Sequence, residues 1–206
     1  KERTEWNSYV DKESGPTNQE LPSYAHAVGA IYRNADPSDI VVTAAGGLVG
    51  EVVQIWKPKQ KNTFETEWGF SCMGYEISGA LGIKMAKPDQ DVIVFVGDGS
   101  YLLANSDIYS SVIYDKKLII VVCDNGGHMV INRLQLAKGG KEYICNLRAA
   151  RATNLQFVDF EAHAKSMGAN GETVSSTSEL EAAFLRAKKS DKTYVISLKT
   201  DGYQWL

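Results

Sequence analysis

The sequence predicts an α/β protein with a doubly wound, mainly parallel sheet flanked by helices. Continuous apolar runs at residues 40–45, 91–97 and 117–125 read as buried strands. Segments with apolar residues at helical spacing lie between them, and strands alternating with helices indicate parallel pairing. Each of these three runs ends in a loop that carries glycine or asparagine and leads into a helix.

In chain order, residues 1–20 are polar and contain the breaker Gly15-Pro16-Thr17-Asn18, which reads as a tail or interdomain linker. The domain proper then runs over 21–206. LPSYAHAVGAIYRNA places Tyr24, Val28, Ile31 and Tyr32 on one helical face, with Ser23 positioned as the cap. IVVTAA is a short strand ended by Gly46-Gly47, and MGYEISGALGIKMA a tightly packing, small-residue helix. DVIVFVG is the clearest strand, SDIYSSVIYD the next helix, and KLIIVVCDN a second fully buried strand. VINRLQLA reads as a helix, and 138–156, rich in Gly, Arg and Asn, as a long loop. A helix near 159–167, a strand near 172–175, a helix over 178–189 and the strand TYVISLKT complete the pattern.

The 206 residues are 44% hydrophobic and 23% charged, which excludes a disordered or collagen-like chain and suits one domain with a sizeable core. With 22 Lys+Arg against 25 Asp+Glu there is no electrostatic footprint for nucleic acid, and the short basic runs at 57–61, 138–141 and 186–189 are scattered. No stretch approaches the roughly 18 apolar residues that span a bilayer, and KERTEWNSYV has no apolar core of a signal peptide. Cys72, Cys123 and Cys145 are odd in number and form no CxxC pair, so a reduced, cytoplasmic setting is expected and thiolate metal binding is not.

In an open parallel sheet, ligands bind beyond the carboxyl ends of the strands. Three loops belong at that edge: Ala45-Gly46-Gly47, Gly97-Asp98-Gly99-Ser100, and Asp124-Asn125-Gly126-Gly127-His128. Their glycines admit a ligand close to the backbone, and helix N-termini attract phosphate through free N–H groups and the helix dipole. Neither the Walker lysine motif nor a full GxGxxG fingerprint is present. Asp98 and Asn125 end strands one strand–helix–strand unit apart, and a carboxylate with an amide oxygen makes a hard ligand pair suited to Mg²⁺ and phosphate. Taken singly, GDG and NGG are equally ordinary turn sequences.

GDGS followed, after 25 intervening residues from Gly99, by Asn125 resembles the signature of thiamine diphosphate-dependent enzymes, in their C-terminal diphosphate-binding domain. The resemblance implies Mg²⁺ held by the Asp98 carboxylate, the Asn125 side-chain oxygen and the Gly127 carbonyl. It implies backbone donation to the diphosphate from Gly99, Ser100, Gly46 and Gly47. The family's usual Asn-Asn is here Asp124-Asn125, and the second position is the ligand. In WGFSCMGYEISGALG, Met73-Gly74 is similar to the wedge that bends the cofactor, with the Ser71 carbonyl accepting its 4′-amino group. A methionine on its own is more often core filler, and it is the position of Met73 relative to Asp98 that raises it.

EWGFSCMGYEISGALGIKMAKPD, VGDGSYLLANSD and INRLQ look most like the branch of that family acting in myo-inositol breakdown. That branch hydrolyses a carbon–carbon bond of a cyclic 1,2-diketone, a trihydroxycyclohexanedione. Alternatives are an acetolactate synthase-like or 2-oxo-acid decarboxylating lyase, a noncatalytic cofactor-binding or assembly module, and a flavodoxin-like or NAD-binding domain. The family's activating glutamate belongs to a separate pyrimidine-binding domain, contributed by a second subunit. Glu51, Glu65, Glu67 and Glu76 all fall inside the diphosphate domain and are given no such role. The chain is therefore expected to be a C-terminal part of a larger enzyme or one subunit of a split one, silent alone, and at least a homodimer or homotetramer when complete.

His128 is the one histidine that sits inside a motif, directly after Gly127. It is a candidate proton carrier near neutrality, although packing at a helix start on the cofactor edge is the favoured reading. Met129, Val130 and Ile131 are expected in the pocket wall, His26 and His163 in structural positions, and Cys72 as a small buried side chain. Residues 138–156, with Arg148 and Arg151, are open to three readings: a lid, a contact with the partner domain, or an exposed loop.

Overall fold

The structure, a computed structural model, describes residues 2–206. Lys1, the first residue of the stretch read as a tail or linker, lies outside the described residues.

That stretch opens with helix α1 (Glu2–Glu13), whose first turn carries Glu2 and Glu5 and whose last turn carries Lys12, charges that suit the helix dipole. One side chain, Val10, enters the core, so no apolar periodicity announces the helix in the sequence. The end of α1 crosses α2 (Tyr24–Asn34) at Gly29, where a Cβ would lie 1.9 Å from the Ser14 carbonyl oxygen; only glycine permits this approach. Arg33 Nη1 donates to the same carbonyl at 2.7 Å. Ser23 caps α2 as expected, and His26 closes the capping box by accepting the Ser23 N–H through Nδ1 at 3.1 Å.

The chain continues through β1 (Ile40–Thr43), α3 (Gly46–Ile55), β2 (Phe64–Thr66), α4 (Tyr75–Ala86), β3 (Val92–Gly97), α5 (Asp98–Leu103), α6 (Ser106–Ile113) and β4 (Ile119–Asp124). It ends with α7 (Met129–Ala137), α8 (Phe160–Ser166), β5 (Asn170–Val174), α9 (Thr177–Lys189) and β6 (Tyr194–Lys199). The six strands form one sheet in the order β2-β1-β3-β4-β6-β5, every neighbouring pair parallel. This is the predicted fold class.

Side-chain alternation divides the core. Val41, Ile93, Phe95, Ile119, Val121 and Ile196 face α2, α3 and α9. Val42, Val94, Val96, Ile120, Val122 and Val195 face α4, α5, α6 and α8. β3 and β4 are buried on both sides, which is why their sequences are apolar without interruption. His163 is structural as expected, its Nδ1 bonded to the Tyr101 hydroxyl at 2.9 Å. None of the helices among the described residues is long and apolar enough to cross a membrane.

The chain leaves β1 outward to β2 but leaves β3 in the opposite sense to β4. Such a reversal opens a crevice at the carboxyl ends of the neighbouring strands β1 and β3.

Candidate functional site

At that crevice the three expected loops meet. β1 hands on through Ala44 and Ala45 to α3, which begins at Gly46; β3 hands on directly to α5, which begins at Asp98; β4 hands on through 125–128 to α7. A cleft of about 40 Å³ is lined by Gly46, Gly47, Met73, Asp98, Gly99, Ser100, Asn125, Gly127, His128, Met129 and Val130, joined by Tyr24. The folding of distant loops onto one edge thus unites all but one of the residues singled out for binding. The exception is Ser71, which lines a separate cavity that also borders Gly46 and Gly47. Ile131, expected in the wall, is half exposed on the outer face of α7.

Asp98 is buried at the first position of α5. Burial, and then the neighbouring Asp124 carboxylate, push its pKa up to about 7, against the pull of N–H donors from Gly99 and Gly127. Burial likewise raises Asp124. Two carboxyls so placed favour a bound proton or a cation between them.

Asn125 supplies the second half. Its Nδ2 donates to the Tyr24 hydroxyl, while its Oδ1 is buried with no partner among the described residues. An orphaned buried amide oxygen is costly unless something binds it. A hard cation beside Asp98 meets that need, so the residues present fit Mg²⁺.

Gly127 has φ +150°, and a Cβ there would lie 2.2 Å from the Cys145 carbonyl oxygen. The backbone of 145–147 presses against this loop: His128 N–H donates to Cys145 O at 2.7 Å, and Leu147 N–H to Gly126 O at 2.9 Å. Part of the 138–156 segment is therefore a strap over the Asn125 loop, with one 3-10 turn at Leu147–Ala149. The His128 ring lies over Gly99, where a Cβ would meet its Cε1 at 2.8 Å and its Nδ1 at 2.9 Å; Met73 Cε approaches the same point to 3.4 Å. His128 thus packs at the start of α7, on the floor of the cleft, and its ring is exposed.

Gly74 is left-handed at φ 94° and begins α4, leaving Met73 projecting 40% exposed. Cys72 corrects its expectation: it is exposed, not buried. The reason is that 67–72 stands clear of the sheet, folded around Glu67, whose Oε1 accepts Phe70 N–H at 2.9 Å and whose Oε2 accepts Cys72 N–H at 2.8 Å. A hydrogen bond to that carboxylate raises the Cys72 pKa, which disfavours a thiolate.

Two residues of the site have no motif to mark them. Tyr24, read from its spacing as a core-facing helix residue, also orients the Asn125 amide. Glu76 is 1% exposed at the start of α4. Its Oε1 accepts Ala45 N–H at 3.2 Å, its Oε2 accepts Gly74 N–H at 3.0 Å, and both accept the Ser100 hydroxyl at 2.8 and 2.7 Å. One carboxylate ties the β1 loop, the Met73-Gly74 turn and α5 together. The Ser100 hydroxyl is committed to this network, which leaves its backbone N–H for a ligand.

Residues 44–198 match the family described as thiamine pyrophosphate enzyme, C-terminal TPP binding domain. The chain belongs to this family. Thiamine pyrophosphate, or diphosphate, is accordingly the cofactor of the domain, used in the family typically with Mg²⁺. The chain is 40% identical over 203 residues, 96% of its length, to 3D-(3,5/4)-trihydroxycyclohexane-1,2-dione hydrolase of Bacillus licheniformis, and covers 31% of that protein. It is 39% identical over 183 residues to the protein of that name from Halalkalibacterium halodurans, covering 86% of this chain and 29% of the relative. The chain thus spans less than a third of the length of these relatives. Among solved structures, the thiamine diphosphate-dependent 4-hydroxybenzoylformate decarboxylase of Rhodococcus jostii RHA1 superposes with TM-score 0.79 at 18% identity. That likeness covers 90% of this chain and 34% of the decarboxylase, and it supports the thiamine diphosphate-binding α/β fold.

Proposed function

We propose that this chain grips the diphosphate and Mg²⁺ of thiamine diphosphate in an enzyme that hydrolyses a carbon–carbon bond of a trihydroxycyclohexane-1,2-dione. The observation that carries the grip is the orphaned Asn125 Oδ1 beside the buried Asp98. The substrate class is supported by the hydrolases to which the chain is similar over most of its length.

In this reading Asp98, Asn125 Oδ1 and the Gly127 carbonyl hold Mg²⁺, and the N–H groups of Gly46, Gly47, Gly99 and Ser100 receive the diphosphate. Met73 would pack against the rings of the cofactor, and the Ser71 carbonyl, in the adjoining cavity, would accept from its amino group. Bound cofactor supplies the nucleophile and electron sink that cleavage beside a ketone requires. His128, over Gly99, packs on the cofactor edge and is placed to hold or move a proton there. Met129 and Val130 keep water from that side. A pyrimidine-binding domain from a second subunit supplies the activating glutamate, so the chain alone binds without turning over.

Calorimetric titration of thiamine diphosphate with Mg²⁺ or with EDTA tests the grip. Expected is Mg²⁺-dependent binding that Asp98→Ala abolishes. Binding indifferent to both Mg²⁺ and the substitution would sink it. Product analysis on the full-length enzyme, offering the cyclic dione against pyruvate, tests the reaction; carbon dioxide release from pyruvate would replace the hydrolase with a decarboxylating lyase.

A further inference from the structure

One side chain sets the shape of the turn between β2 and α4. Glu67 is the first residue beyond β2, a strand paired with β1, so its backbone starts from a fixed place on the sheet. Its two oxygens divide the turn between them. Oε1 accepts Phe70 N–H at 2.9 Å and Oε2 accepts Cys72 N–H at 2.8 Å, one on each side of Ser71. These donors, Cys72 N–H foremost, hold the Glu67 carboxyl below its ordinary range and keep the acceptor ionised. The far end of the turn is anchored separately, where Gly74 N–H donates to Glu76 Oε2 at 3.0 Å.

Peptide geometry turns this grip into a direction for the Ser71 carbonyl. In a planar trans peptide the C=O and the following N–H point opposite ways. The Ser71–Cys72 bond is trans, and its N–H is directed at Glu67, so its carbonyl is directed away from Glu67. Among the described residues nothing donates to that carbonyl. Ser71 also has φ +51°, in the left-handed region that disfavours any residue with a Cβ. Such a conformation persists only where its surroundings hold it, and the two bonds to Glu67 do so.

We infer that Glu67 is a positioning residue, which holds the Ser71 carbonyl aimed in advance as the hydrogen-bond acceptor for the cofactor's amino group. The identity of that ligand rests on the function proposed above; the part played by Glu67 is additional to it. An acceptor fixed before binding spares the ligand the cost of ordering a loop. It also rejects an analogue with an oxygen in place of the amino group, because two acceptors then meet without a donor. The Glu67 hydrogen bonds go to residues 70 and 72, not to the glycine loops or to Asp98 and Asn125. Its removal is therefore expected to spare the diphosphate grip.

The test is calorimetric titration of the full-length enzyme, in Mg²⁺, with three ligands. They are thiamine diphosphate, oxythiamine diphosphate, in which oxygen replaces the amino group, and inorganic pyrophosphate. The wild type is expected to prefer the amino form to the oxygen form by about ten-fold or more. Glu67→Ala is expected to lose about ten-fold in affinity for thiamine diphosphate, to narrow that preference, and to bind pyrophosphate as the wild type does. Glu67→Gln, which keeps one acceptor oxygen, should lose less than Glu67→Ala. A preference undiminished in Glu67→Ala, or a loss equally large for pyrophosphate, would overturn the inference, the second by showing general damage to the site. Failure of the wild type to bind pyrophosphate would overturn the diphosphate grip itself and the inference with it.

Discussion

At the scale of single residues, the site depends on orientation more than on charge. Asn125 can offer a cation its oxygen only if its nitrogen is engaged elsewhere, and Tyr24 engages it. Tyr24→Phe is therefore expected to weaken Mg²⁺-dependent cofactor binding about ten-fold while leaving secondary structure by circular dichroism unchanged. Unchanged affinity in that calorimetric comparison would show that Asn125 is held by its backbone alone. Sequence made Asp98 and Asn125 legible because Gly-Asp-Gly and Asn-Gly-Gly mark strand ends at a separation the topology requires. Tyr24 was legible only as part of an amphipathic helix, since nothing local to it reveals a partner 101 residues away.

At the scale of elements, Glu76 is what makes three separate segments one site. Removing it as Glu76→Ala leaves the Ala45 N–H and the Ser100 hydroxyl without their buried acceptor, while the Gly74 N–H keeps the Ser100 Oγ at 2.8 Å. Each such group costs about 1–3 kcal/mol, so the melting temperature should fall by several degrees or more. Glu76→Gln, which keeps an acceptor, should lose less; equal loss in thermal denaturation would show that charge, not donor satisfaction, is decisive. An acid in the first turn of a helix reads in sequence as a favourable helix-dipole charge, which masks this role. The same limit applies to β2, whose Phe64-Glu65-Thr66 has one apolar residue and three positions in all, too short for alternation to show. β3 and β4 stood out because burial on both faces removes every polar interruption.

At the scale of the whole molecule, the site sets the pH dependence of stability. The folded state holds the Asp98 proton up to about 7, whereas the unfolded chain releases it near 3.8. Folding therefore binds a proton across that interval, and stability declines as pH rises from about 4 to 7. Asp124, raised by burial, acts in the same direction. Glu67, Glu161 and Glu179 are held low and act oppositely, but they are exposed to solvent screening. Melting temperatures in EDTA at pH 5 and pH 8 should show Asp98→Asn gaining on the wild type as pH rises, and Mg²⁺ should restore the wild type at pH 8. A constant gap would contradict the assignment. The network around Glu76 also limits modular exchange. A ligand-edge loop moved from a relative cannot be transplanted singly, because residues 44–47, 74–76 and 97–100 share one acceptor. The smallest unit that could be swapped intact is all three segments with their glutamate, and shuffled chimeras that divide them should be depleted among folded products.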